Sequence, residues 1–151
     1  MHVQDIMTSP VRTARLTDTI AQAAQALRDL DVGALPVVAG DDTSVLVGII
    51  TDRDIAVRCA AAGHDSRECL VRDHMTSGEL ATALPTDEVL YAAHRMQRAR
   101  VRRIPVLDAD RHVVGIVTQA DLARDVGPAN PRLVDLVVEA VSRPNRTPAR
   151  R

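Results

Sequence analysis

The 151-residue chain says nearly the same thing twice. Val3-Gln4-Asp5-Ile6-Met7-Thr8 returns as Val71-Arg72-Asp73-His74-Met75-Thr76, 68 residues on. Val32-Gly33-Ala34-Leu35-Pro36-Val37 returns as Val101-Arg102-Arg103-Ile104-Pro105-Val106, 69 residues on. Val47-Gly48-Ile49-Ile50-Thr51-Asp52-Arg53-Asp54 returns as Val114-Gly115-Ile116-Val117-Thr118-Gln119-Ala120-Asp121, 67 residues on. Such near-constant spacing is the mark of a duplicated structural unit. Each copy is too short to be comfortable alone, so the copies are expected to share a core. The chain divides into a first repeat over 1–64, a second over 65–127, a final helix within 128–142 and a disordered tail over 143–151.

Within a repeat the hydrophobic period changes in a readable order. Thr17 and Asp18 are helix-capping types, and Ile20, Ala23, Ala24, Leu27 and Leu30 follow at helical spacing, predicting a helix over 18–30. Ala34–Val38 reads as a short strand whose proline suits an edge or a strand start. A turn cluster over Gly40–Ser44 leads to Val45–Ile50, apolar throughout and so expected to be buried on both faces. Thr51 then opens a helix from Asp52 to about Ala62. The second repeat predicts a helix over 87–99, strands near 103–107 and 112–118, and a helix from Gln119. A break over Pro128–Arg132 precedes the last amphipathic helix.

Composition narrows the function. Basic and acidic residues number 19 and 20, a balance that argues against a dedicated nucleic-acid binder. Every basic residue is arginine, so a lysine Schiff base is excluded. Tyr91 is the single aromatic, so bases cannot be stacked on a row of aromatic rings. No apolar run approaches membrane-spanning length, and Met1–Asp5 does not begin a leader-like pattern, so a cytoplasmic location is expected. None of the common hydrolase, nucleotide-hydrolase, dinucleotide or zinc-protease motifs is present, and no enzymatic activity is expected.

The order strand–helix–strand–strand–helix, with Gly33-Ala34-Leu35-Pro36-Val37 and Gly48-Ile49-Ile50-Thr51-Asp52-Arg53-Asp54 in one copy and Ile104-Pro105-Val106 and Gly115-Ile116-Val117-Thr118-Gln119-Ala120-Asp121 in the other, resembles the cystathionine-β-synthase (CBS) domain. Two in tandem resemble a CBS pair, or Bateman module, of the small stand-alone bacterial type. The resemblance implies an α/β (α+β) fold of two β-α-β-β-α repeats related by a pseudo-twofold. It implies clefts that bind an adenosine-containing ligand such as AMP, ADP, ATP or S-adenosylmethionine, with no other cofactor. It also implies a homodimer of four repeats arranged as a disk, and a regulatory, signalling role.

Residue by residue, the resemblance assigns ribose hydroxyls to Asp54 and Asp121, and phosphate or ribose contacts to Thr51 and Thr118. Arg53, Arg102 and Arg103 are the candidate phosphate contacts, since arginine offers a planar donor fork. Ala34, Pro36, Ile104 and Pro105 are the aliphatic candidates to line an adenine. The same Thr-x-x-Asp spacing is also that of a capping box, which would hold the helix start and need no ligand. Gln119-Ala120 replaces Asp52-Arg53 in the second copy, so the two sites are chemically unequal.

Cys59, His64, Cys69 and His74 recur at intervals of five and carry zinc-ligand chemistry, although the usual close cysteine and histidine pairs are absent. They also allow a Cys59–Cys69 disulfide. Two further readings therefore stand beside the adenosyl one: a ligand-free structural or stress-induced interaction protein, and a zinc- or redox-responsive module. Asp108-Ala109-Asp110 reads as a turn between strands.

Overall fold

The computed structural model describes residues 1–40 and 43–143. Asp41 and Asp42 of the expected turn, and the expected tail beyond Arg143, lie outside the described residues. The chain forms two compact units. One comprises Ser9–Leu80 with Leu107–Gly115; the other comprises Met1–Thr8, Ala81–Val106 and the chain from Ile116. The division in space thus crosses the division in sequence. Thr8 bridges Ile116 within one unit, and Thr76 bridges Ile49 within the other.

In the unit built on Ser9–Leu80, strands β1 (Ala14–Arg15), β2 (Ala34–Gly40) and β3 (Thr43–Thr51) form a sheet in that order. β2 is therefore central, although its Pro36 was expected at an edge or a strand start. The sheet tolerates this because β1 is only two residues long and pairs with Val37 and Val38, just past the proline. β3 alternates between buried and half-buried positions and is not buried on both faces. Helix α1 (Ile20–Leu30) lays Ile20, Ala23 and Leu27 into a core with Leu35, Val37, Ile50, Cys59 and Val71. Leu30, expected on that face, is exposed.

The cap of α1 is Thr19 and not Thr17 or Asp18. The Asp18 carboxylate is already taken by the Arg15 N–H at 2.8 Å, which leaves Thr19 and Gln22 to form the reciprocal box. Asp31 ends the helix at φ 53°, its N–H returning to the last carbonyls.

In the other unit, Val3–Asp5 forms a single 3₁₀ turn. Val71–His74, its repeat partner, forms the short helix α3 in the first unit. Helix α4 (Val89–Ala99) begins later than the expected 87 because Asp87 closes the preceding turn onto the Leu84 N–H at 2.7 Å. It ends at Arg100 with φ 54°, matching Asp31. β4 (Arg103–Leu107) pairs with β5 (Val113–Thr118). The turn between them, which belongs to the unit of Ser9–Leu80, is built on Asp108, whose Oδ1 accepts from the N–H groups of Asp110 and His112. Those bonds, the one from His112 first, hold the Asp108 carboxyl below its ordinary range. The last helix (Pro131–Ser142) starts inside the expected break: Asn130 caps it, and Pro131 occupies the first position, where a missing N–H costs nothing. It packs against α4 through its Leu133–Val137 face.

Thr51 and Thr118 each open a helix, as expected, but it stays α-helical for only three residues. Asp52–Asp54 (α2) passes into a π-turn over Ile55–Ala60, and Gln119–Asp121 (α5) passes into one over Leu122–Val126. The last helix, Pro131–Ser142, is α6.

β3 runs so close to residues 75–76 that a Cβ on Gly48 would stand 2.9 Å from the Thr76 carbonyl oxygen and 2.5 Å from Met75 Sδ. The backbone oxygen cannot yield, because Thr76 and Ile49 exchange two hydrogen bonds of 2.9 Å. Gly48→Ala should destabilise the protein by about 1–3 kcal/mol in denaturant unfolding, the cost of overpacking; an unchanged midpoint would show that this approach is loose.

Candidate functional site

Two equivalent junctions carry the predicted residues. In the first, Ala34 lies opposite Thr51 in the β2–β3 register, and the Asp52 N–H donates to the Gly33 carbonyl at 3.1 Å. The start of β2 and the start of α2 therefore meet. In the second, the Gln119 N–H donates to the Arg102 carbonyl at 2.8 Å, so Arg102–Arg103 and Thr118–Asp121 meet in the same way.

At each junction the threonine and the aspartate form a reciprocal capping box. Asp54 N–H donates to Thr51 Oγ1 at 3.0 Å, and Thr51 N–H donates to Asp54 Oδ2 at 3.0 Å. Asp121 N–H donates to Thr118 Oγ1 at 3.2 Å, while the Thr118 N–H and hydroxyl donate to Asp121 Oδ2 at 2.8 and 2.7 Å. Both aspartates are buried, and a buried carboxylate needs partners for both oxygens. The second oxygen faces an arginine in each case. Arg58 Nε lies 3.6 Å from Asp54 Oδ1, and Arg124 Nη2 lies 3.0 Å from Asp121 Oδ1.

Sequence reasoning missed these arginines. They do not occupy equivalent places: the residue matching Arg58 is Asp125, and the residue matching Arg124 is Val57. The π-turns that place them carry no sequence signature of their own. The only available signal was the spacing of four in Asp54–Arg58 and of three in Asp121–Arg124, which suits a helical ion pair. Arg124 is also bound by Asp125 at 2.7 Å, which lowers the Asp125 carboxyl's pKa and raises the guanidinium's further. Arg58 instead donates from Nη1 to the carbonyls of His74 and Met75 at 3.3 and 3.0 Å.

Of the other predicted contacts, Arg53 and Arg102 are exposed and Arg103 is half-buried. Ala34, Pro36, Ile104 and Pro105 are all buried, and Ile104 has no exposed surface, so its side chain belongs to the core. A polar hollow of about 420 Å³ opens elsewhere, between Arg12–Arg15 and α1, and includes none of the predicted residues.

A second cluster sits behind the first junction. Cys59, on the π-turn, is 1% exposed. The potential ligand atoms of Cys59, Cys69 and His74 all lie within 4.8 Å of one another. Both cysteines are free thiols, so the allowed disulfide is not formed. His64 is not among the converging atoms; its ring is exposed, with its centroid 5.3 Å from that of His74. The loop that delivers Cys69 is stiffened by Arg67, which chelates Asp65 through Nε and Nη2 and draws its carboxyl down to about 2. Burial, then the neighbouring Cys69, pushes the Cys59 thiol up.

Residues 3–60 and 71–127 each match the CBS domain. The chain is 38% identical over 130 residues to hypoxic response protein 1 of Mycobacterium tuberculosis, covering 80% of this chain and 82% of that one. A crystal structure of hypoxic response protein I with two coordinated zinc ions superposes at a TM-score of 0.74 and 33% identity, covering 83% of this chain and 98% of that one. The CBS domain pair of protein MJ0100, in complex with 5′-methylthioadenosine and S-adenosyl-L-methionine, superposes at 0.74 with 34% identity over 84% of this chain and all of that one. The CBS domain protein PAE2072 from Pyrobaculum aerophilum, complexed with AMP, superposes at 0.77 with 25% identity over 91% and 99%. With both repeats matched and each carrying the same buried Thr-x-x-Asp junction, the chain belongs to the CBS domain family as a tandem CBS pair.

Proposed function

We propose that this CBS pair is a non-catalytic regulatory protein that binds an adenosine-containing ligand, of the class AMP, ADP, ATP or S-adenosylmethionine, at the Thr51–Asp54 and Thr118–Asp121 junctions and signals as a cytoplasmic homodimer. The observation that carries this reading is the duplicated, buried carboxylate held at a strand-to-helix junction beside the start of a proline-bearing strand. The capping box uses one lone pair of Asp54 Oδ2, and carboxylate oxygens retain further acceptor sites for a ribose diol. Hydrogen bonds to such a charged acceptor are worth about 1.5–3 kcal/mol each. Arg53, Arg102 and Arg103 are the phosphate contacts in this reading. The structures of MJ0100 and PAE2072, with their adenosyl ligands, support the ligand class. Apolar residues left exposed on α4 and α6, among them Leu90, Tyr91 and Val138, support a second copy as partner. No described helix is long and apolar enough to cross a membrane.

A ligand present at a hundred times its Kd should raise the melting temperature by roughly 5–10 °C. Asp54→Ala or Asp121→Ala should abolish part of that rise, each measured against its own unliganded protein because the cap is also lost. No rise with any of the four ligands would overturn the adenosyl reading in favour of a ligand-free interaction protein.

A second reading is favoured by the Cys59–Cys69–His74 cluster. Two sulfurs and an imidazole are three of the four donors of a tetrahedral zinc site, and His64 or a solvent molecule supplies the fourth. That hypoxic response protein I coordinates zinc supports the same chemistry here. The purified protein should retain close to one Zn²⁺ per chain after dialysis, and Cys69→Ser should lose most of it. Metal analysis showing only trace zinc in a sample reconstituted with the ion would dismiss this reading.

A further inference from the structure

The two candidate sites are not independent in space. One short helical stretch carries Asp54, Arg58 and Cys59 in succession. Arg58 is the link: Nε faces the Asp54 carboxylate at 3.6 Å, while Nη1 holds the carbonyls of His74 and Met75. His74 is itself one of the three converging donors. We propose that a divalent zinc-type ion on Cys59, Cys69 and His74 sets the adenosyl affinity of the Asp54 site through Arg58. This inference rests on both readings proposed above.

The three donor atoms all lie within 4.8 Å of one another. Zinc–sulfur and zinc–nitrogen bonds of about 2.3 and 2.1 Å in tetrahedral geometry set neighbouring donors about 3.5–4 Å apart, a spacing this convergence admits. A bound ion therefore ties Cys59 on the π-turn to His74 at the end of α3. The α3 side is itself anchored, because Thr76 is fixed to Ile49 by two hydrogen bonds and Met75 abuts Gly48. Arg58, next to Cys59 on the π-turn, is thereby fixed between the two carbonyls and the carboxylate. A carboxylate held in one orientation by a fixed cation is preorganised to accept two ribose hydroxyls, and the ordering cost falls before the ligand arrives.

The second repeat lacks the device. Cys59 and His74 correspond there to Val126 and Ile6. Asp121 is instead braced by Arg124, which Asp125 already anchors. The metal therefore acts on one junction and leaves the other unchanged.

Isothermal titration with AMP, and separately with S-adenosylmethionine, on zinc-loaded and chelator-stripped protein tests the proposal, with zinc content measured on each sample. Zinc should tighten binding at one of the two sites by about fivefold or more, the lower range of allosteric coupling. Arg58→Gln should still take up zinc and should reduce the difference to less than twofold. Arg58→Lys, which keeps the charge without the fork, should fall between and serves if the glutamine variant does not fold. Equal affinities with and without zinc in a wild type that binds both would overturn the proposal, as would a full difference retained in Arg58→Gln. Failure to take up zinc, or to bind either adenosyl compound in any state, would also overturn it. Metal content and calorimetry tell which underlying reading has failed.

Discussion

A single reciprocal pair organises each repeat: a threonine N–H held by an aspartate, and that aspartate's N–H held by the threonine. The box terminates a half-buried strand and starts a helix within one residue, which leaves no loop between the core and the junction. Its energetic contribution is modest, on the order of 1 kcal/mol for the cap. Its structural consequence is larger. It commits a carboxylate to burial, and burial obliges the chain to supply a cation for the remaining oxygen. The arginines that face the two carboxylates answer that obligation.

The two repeats meet it differently. Arg58 comes from one position on its π-turn and Arg124 from another. Side chains three and four places along a helical stretch both lie on the carboxylate's face, so either position can supply the arginine. This tolerance lets duplicated junctions diverge without losing the buried pair. In the first repeat the guanidinium holds the carbonyls of His74 and Met75, and in the second Arg124 sits in an acidic clamp of Asp121 and Asp125.

Where the fold is set by period and punctuation, the amino-acid sequence shows it. The spacing of Ile20, Ala23 and Leu27 places α1, and the repeated Gly-x-x-Thr motif places both junctions. The aromatic-poor composition shows the character of the core, in which every buried apolar side chain is aliphatic or sulfur-bearing. Errors arose where two local claims on one group competed. Asp18 and Asp87 are good caps by type, but each is used one turn earlier to close a loop. Pro36 looked like an edge residue because the brevity of β1 is a tertiary fact. Ile104 looked available to a ligand because strand alternation alone cannot say that both its surroundings are filled. Of the four spaced metal-type residues, three converge and His64 does not, since an interval of five fixes no common direction once the chain turns twice.

The capping and ligand readings of Thr-x-x-Asp, which looked like competitors in the sequence, are compatible in the structure. A cap uses one acceptor position on one oxygen and fixes the carboxylate plane. Without that fixation a buried aspartate beside an arginine would swing to a bidentate pair and present nothing outward. Arg58 is kept from doing so by the two carbonyls it also serves, and its 3.6 Å separation from Asp54 is that of a brace rather than a clamp. The first junction thus holds a carboxylate that is oriented by its cap and keeps further acceptor positions. Under the proposed adenosyl reading those are the properties a diol-recognising group needs, and Arg58 connects them to the end of α3.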